Sequence, residues 1–95
     1  IRNTYDIRVR NKFHEARDFH FSLTSDALLR IQIEGSDDLR VNVPADSTHL
    51  QRVYVVAPAN SAAATADRSE LRLWVEDLGS SSRVSAETIF NGKGN

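Results

Sequence analysis

The chain has 95 residues, 40% of them hydrophobic and 26% charged, with a formal net charge of −1. That length suits one domain with a single thin core and not two. The near-zero charge excludes the electrostatic footprint of a nucleic-acid binder, and the absence of cysteine excludes a disulfide, a thiolate metal site, an iron–sulfur cluster or a cysteine nucleophile within the chain.

Period-two alternation dominates from the start. Tyr5, Ile7 and Val9 alternate with Thr4, Asp6, Arg8 and Arg10, so one face is apolar and the other polar, as in a strand lying on a core. The basic residues Arg2, Arg8, Arg10, Lys12 and Arg17 are interleaved with Asp6, Glu15 and Asp18, which reads as a solvated face. Asn11 to Asp18 is a polar connection with room for one helical turn. Phe19, Phe21 and Leu23 alternate with His20, Ser22 and Thr24, and Ser25-Asp26 signals a turn. Leu29, Ile31 and Ile33 form the next apolar face before Gly35-Ser36-Asp37-Asp38 breaks the run. Leu39, Val41 and Val43 follow, ended by Pro44-Ala45-Asp46-Ser47.

The stretch Gln51 to Ala57 is more apolar, and the register that turns Val53, Val55 and Ala57 inward leaves Arg52 and Tyr54 outward. Pro58 ends it. Asn60 to Arg68 is rich in Ala, Ser and Thr; its Ala62-Ala63-Ala64 run could form a helical turn but has no partner face, so Pro58 to Arg68 reads as a long, mobile surface loop. Leu71, Leu73 and Val75 resume the alternation, Leu78 to Ser82 forms a hairpin loop, and Val84, Ala86, Thr88 and Phe90 give the last strand.

Seven short alternating segments separated by turns predict an all-β, immunoglobulin-like sandwich of two antiparallel sheets over residues 1–92, with 93–95 as a flexible tail. Phe21, Ile31, Val41, Leu73 and Phe90 are expected between the sheets. No apolar run approaches the roughly 20 residues that span a bilayer. With no methionine, the chain reads as a piece of a longer protein, and any anchor or targeting signal is expected upstream.

Three stretches together resemble a known family. They are Ile1-Arg2-Asn3-Thr4-Tyr5 followed by Asn11-Lys12, Val41-x-Val43-Pro44-Ala45 before the strand ending Ala57-Pro58, and Leu71-x-Leu73-x-Val75-x-Asp77 before Phe90-x-Gly92. Their order and spacing resemble the C-terminal immunoglobulin-like domain of FixG-type proteins over nearly the whole chain. Family members usually carry a glycine in the turn where Asp46 stands here. The resemblance implies a polytopic membrane protein that assists assembly of cbb3-type cytochrome c oxidase, with 4Fe–4S clusters and copper reduction and delivery carried elsewhere in the full protein. It also implies that this domain lies on the periplasmic side of the bacterial inner membrane. No catalytic residue of the family falls on this chain.

The residues themselves point to a non-enzymatic domain without a cofactor of its own. His14, His20 and His49 match no metal-ligand spacing, and no Cys or Met supplies a soft ligand for Cu(I). Ser80, Ser81 and Ser82 after Gly79 lack the G-x-S-x-G pattern, and Gly35, Gly79, Gly92 and Gly94 form no phosphate cradle. Asp37-Asp38 reads as a turn rather than a calcium site. Taken with what the resemblance implies, the expected partner is a protein, or the rest of the same membrane protein, and neither a nucleic acid nor a small-molecule substrate. Two other readings stay open: a domain that holds copper transiently through its histidines, and a surface-adhesion sandwich of an unrelated family. The candidate contact residues are Trp74, which shares the outward face with Arg72 and Glu76, and Ile89, expected beside it on the following strand.

Overall fold

The computed structural model describes residues 1–93. Seven strands alternate along the chain: β1 (Arg2–Arg10), β2 (Arg17–Thr24), β3 (Arg30–Ile33), β4 (Arg40–Val43), β5 (Thr48–Val56), β6 (Arg68–Asp77) and β7 (Arg83–Asn91), with one helical turn, α1 (Ala62–Thr65), between β5 and β6. They form two antiparallel sheets, ordered β1-β5-β3 and β4-β2-β6-β7. The expected two-sheet sandwich is therefore the observed one. The chain changes sheet at every connection except the β6–β7 hairpin.

The alternation sets which face each strand buries. Tyr5, Ile7 and Val9 of β1 pair across the sheet with Val53, Gln51 and His49 of β5, while Phe21 and Leu23 of β2 pair with Val75 and Leu73 of β6. Side chains from the two inner faces meet in two linked clusters. One is built on Val9, Phe19, Phe21, Ile33, Val43 and Val53; the other on Val55, Leu71, Leu73 and Phe90. Of the five expected core residues, Phe21, Leu73 and Phe90 are buried, and Ile31 and Val41 are half-buried. Those two lie on β3 and β4, the edge strands of their sheets, where no neighbour covers one flank.

The segment after Pro58 corrects the expectation of an undocked loop. Ser61 caps α1, its hydroxyl accepting from the Ala64 amide at 3.2 Å. Ala63 and Ala64 are each only 3% exposed and join the core beside Val55, Leu71 and Phe90. The helical turn closes one end of the sandwich. The missing partner face is supplied from far along the chain: the Lys93 amide donates to the Ala64 carbonyl at 2.7 Å. Lys93 is the only part of the expected 93–95 tail among the described residues, since 94–95 lie outside them.

The Asp46 position also finds its reason. Its φ of 54° is in the left-handed region, where glycine is favoured and aspartate is among the better tolerated substitutes. Its amide donates to the Phe13 carbonyl at 3.0 Å, and its carboxylate meets His14 Nδ1 at 3.0 Å.

Candidate interaction surface

Trp74 sits mid-strand on the outer face of the four-stranded sheet, half-buried. Its indole N–H donates to Thr24 Oγ1 at 3.0 Å. The Arg83 guanidinium lies 4.5 Å from the ring centroid and that of Arg72 6.0 Å, distances at which a cation is attracted to an aromatic face. Trp74 pairs with Ser85, whereas Ile89 pairs with Glu70. The Arg72–Glu87 ion pair stands between them. The apolar patch expected from Trp74 and Ile89 is therefore not assembled: arginines flank the indole, and Ile89 lies four residues along β7 from Ser85, the partner of Trp74, about 13 Å of strand.

The histidines occupy separate elements. His14 lies in the β1–β2 connection and His20 on the outer face of β2. His49 lies on the inner face of β5, half-buried, with Nε2 2.9 Å from Gln51 Oε1. Among the described residues no group of three or more His, Cys, Asp or Glu side chains could hold a metal. Asp38 is engaged in its own turn. Its carboxylate accepts from Ser36 Oγ at 2.6 Å, which above all holds its pKa below the ordinary value, helped by the Arg40 amide at 3.2 Å.

Two polar centres were not legible as such in the sequence. Asn11, 1% exposed, donates through Nδ2 to the carbonyls of Glu15, Val43 and Pro44 at 2.9–3.1 Å, and its Oδ1 accepts from the Phe13 amide at 3.0 Å. It pins the β1–β2 connection to the end of β4. Asp77, 6% exposed, accepts from the Gly79 amide at 2.9 Å, Ser80 Oγ at 3.0 Å and Arg17 Nη1 at 3.1 Å. Burial alone pushes this carboxyl up; the Gly79, Ser80 and Arg17 donors outweigh it, so its pKa lies below the usual carboxylate value. The Ser80–Ser82 run thus belongs to a hairpin loop organised around Asp77.

The feature that stands out is where β1 and β7 meet. Each is an edge strand, one of each sheet, and both lie on the same side of the sandwich. Near their far ends they are tied. Asn3 Nδ2 donates to the Asn91 carbonyl at 2.9 Å, the Asn91 amide donates to Asn3 Oδ1 at 2.8 Å, and the Tyr5 hydroxyl donates to the Ile89 carbonyl at 2.6 Å. Burial raises the Tyr5 phenol pKa. Toward the β6–β7 hairpin the ties stop and the sheets part. Along the inner face of β7 Phe90 is fully buried, Thr88 half-buried, Ala86 exposed and Val84 71% exposed. The result is a groove of ≈ 570 Å³ between the sheets, floored by Ile7, Val9, Phe19, Leu73 and Val75, with Val84, Ala86 and Phe13 on its walls. Arg8, Arg10 and Lys12 line its β1 rim and Arg83 its β7 rim. Phe13, 42% exposed, is held there by the Arg17 guanidinium 3.8 Å from its ring centroid. Nothing in this arrangement joins a nucleophile to a base; it is an apolar surface with a cationic border.

Comparison with known proteins places this architecture. Residues 1–93 match the family described as the "IG-like fold at C-terminal of FixG". Protein RdxB of Cereibacter sphaeroides is 55% identical over 95 residues, covering all of this chain and 20% of RdxB. Protein RdxA of the same organism is 43% identical over 79 residues, 83% of this chain and 17% of RdxA. The chain thus spans about a fifth of the length of the curated relatives it matches. A crystal structure of a FixG-related protein from Vibrio parahaemolyticus superposes with a TM-score of 0.80 at 13% identity, over 98% of this chain and 80% of that one. At that identity the likeness is one of fold.

Proposed function

This chain belongs to the family of immunoglobulin-like domains at the C-terminus of FixG, and from that premise we propose that it is a non-catalytic interaction module of a membrane-anchored accessory protein. In this reading the full-length protein assists assembly of cbb3-type cytochrome oxidase, and the module contacts a protein partner, or another part of its own chain, at the periplasmic face. With no cysteine, the chain offers no thiolate to an iron–sulfur cluster, so the clusters implied for the family fit other parts of the full protein. Copper reduction and delivery would likewise be carried there.

The observation that carries the reading is the groove between β1 and β7. It leaves Val84 71% exposed beside Phe13 at 42%. Contiguous apolar surface rimmed by charge marks interaction sites more often than it marks neutral surface. Val84→Asp places a charge in the groove without emptying the core, because the side chain is already exposed. Introduced into the full-length protein in its host, it should lower the amount of active cbb3-type oxidase in the membrane while leaving the level of the protein itself unchanged. Unaltered oxidase in that strain would remove the groove from the function.

A further inference from the structure

We propose that the groove is a strand-acceptor site, which takes an extended segment of a partner protein whose apolar residues alternate with Asp or Glu, added to the free edge of β1. The proposal rests on the interaction-module reading and names the chemistry of the partner.

The backbone of β1 is the first argument. Ile1 and Ala57 exchange both of their backbone hydrogen bonds, at 2.9 and 3.3 Å, and the Asn11 amide donates to the Ser47 carbonyl at 2.8 Å. In an antiparallel ladder bonded and non-bonded pairs alternate. The odd-numbered residues of β1 therefore bond to β5, and the amides and carbonyls of Asp6, Arg8 and Arg10 point away from it, toward the groove side. The same parity holds on β7. The Asp77 amide donates to the Ser82 carbonyl and the Gly92 amide to the Asp67 carbonyl, so even-numbered residues of β7 face β6. Its odd residues face outward, and at Ile89 and Asn91 they are satisfied by Tyr5 and Asn3. The chain thus closes the β1–β7 seam with side chains at one end and leaves unpaired backbone along β1 at the other. Unpaired strand edges beside an apolar trough are the receptor half of strand addition.

Charge decides the occupant. A strand laid along β1 would send alternate side chains into the trough, against Ile7, Val9 and Val84, and the others outward beside Arg8 and Arg10. Among the described residues Arg8, Arg10 and Lys12 have no ion-pair partner. Asp77, the acid that borders the groove, is already neutralised by Arg17 at 3.1 Å. The incoming outward positions therefore favour carboxylates. A second copy of this chain is less suited to the same edge, since the antiparallel registers centred on Arg8 or Val9 set Arg8 against Arg8 or Arg10.

The test uses the 95-residue chain and two peptides of about ten residues, one alternating Glu with Val, the other alternating Lys with Val. Amide hydrogen exchange is read residue by residue. The acidic peptide should slow exchange at Asp6, Arg8 and Arg10 by tenfold or more, and the basic one should not. In the double variant Arg8→Glu with Arg10→Glu the preference should reverse. Equal effects of both peptides, no effect of either, or protection confined to Arg83, Ser85 and Glu87 of β7 would overturn the proposal. So would concentration-dependent self-association in sedimentation that protects the β1 amides. If the peptides fail while Val84→Asp still lowers oxidase in the host, the strand chemistry is refuted and the module reading stands.

Discussion

Replacing Gly92 with alanine puts the docking of α1 under direct strain. Gly92 lies where the chain leaves β7 and passes over the helical turn. An added Cβ would stand 2.5 Å from the Ala63 carbonyl oxygen, 3.1 Å from that of Ala64, and against that of Ala66 as well. These are backbone atoms and cannot swing aside as a side chain does. Either the C-terminal segment lifts or α1 moves out of the end of the sandwich. Lifting loses the 3.2 Å bond from Gly92 to Asp67 and the 2.7 Å bond from Lys93 to Ala64. Overpacking of this kind costs about 1–3 kcal/mol, and each lost hydrogen bond adds roughly 0.5–1.5 kcal/mol. A total of about 2–6 kcal/mol is expected, moving the urea midpoint down by roughly 1–3 M for m near 2 kcal/mol/M. Exchange at Ala64 and Ala66 should quicken in the same variant. A midpoint within 0.3 M of the parent, with those amides still protected, would refute the account of α1 as a docked plug.

Phe21→Ala should cost about 3–5 kcal/mol, since the side chain is fully buried between the sheets; a loss under about 1 kcal/mol in urea melts would show that the cluster around it is not close-packed. Asp77 has a folded pKa below its unfolded value, so its contribution is complete above about pH 4 and is lost as pH falls through the folded pKa. Asp77→Asn should therefore flatten the decline of stability below pH 4, and identical slopes in both proteins would exclude Asp77 as its source. Arg83→Ala should raise acrylamide quenching of Trp74 and shift its emission to the red, because the guanidinium covers the ring; unchanged quenching would mean that something else shields it. Calorimetric titration with Cu(II) should give no stoichiometric sub-micromolar complex, given histidines on separate elements, and a tight complex abolished by His14→Ala would overturn that expectation.

Much of this fold is written locally. Alternation along a strand reflects the pleat, which turns successive side chains to opposite faces whatever the strand pairs with. That is why the sequence alone puts Phe21, Leu73 and Phe90 in the core, and why the seven segments and their sandwich are legible in it. The resemblance was legible too, and the structure gives its distinctive residues work: Asn3 and Tyr5 tie β1 to β7, Asn11 pins the first connection, and Gly92 clears the carbonyls of α1.

What the sequence could not carry is which strands become neighbours and which become edges. Alternation is the same for a central and an edge strand, so it gave no sign that β1 and β7 would border one groove, or that Val84, on an inward-facing position, would stand 71% exposed. The docking of Ala63 and Ala64 depends on Lys93, some thirty residues on, and the cover on Trp74 depends on Arg83 across a hairpin. Likewise the separation of Trp74 from Ile89 is a matter of β6–β7 register, set by the length of the turn between them. Such features are products of pairing between distant segments, and pairing is decided by the free energy of the whole assembled core rather than by any window of residues.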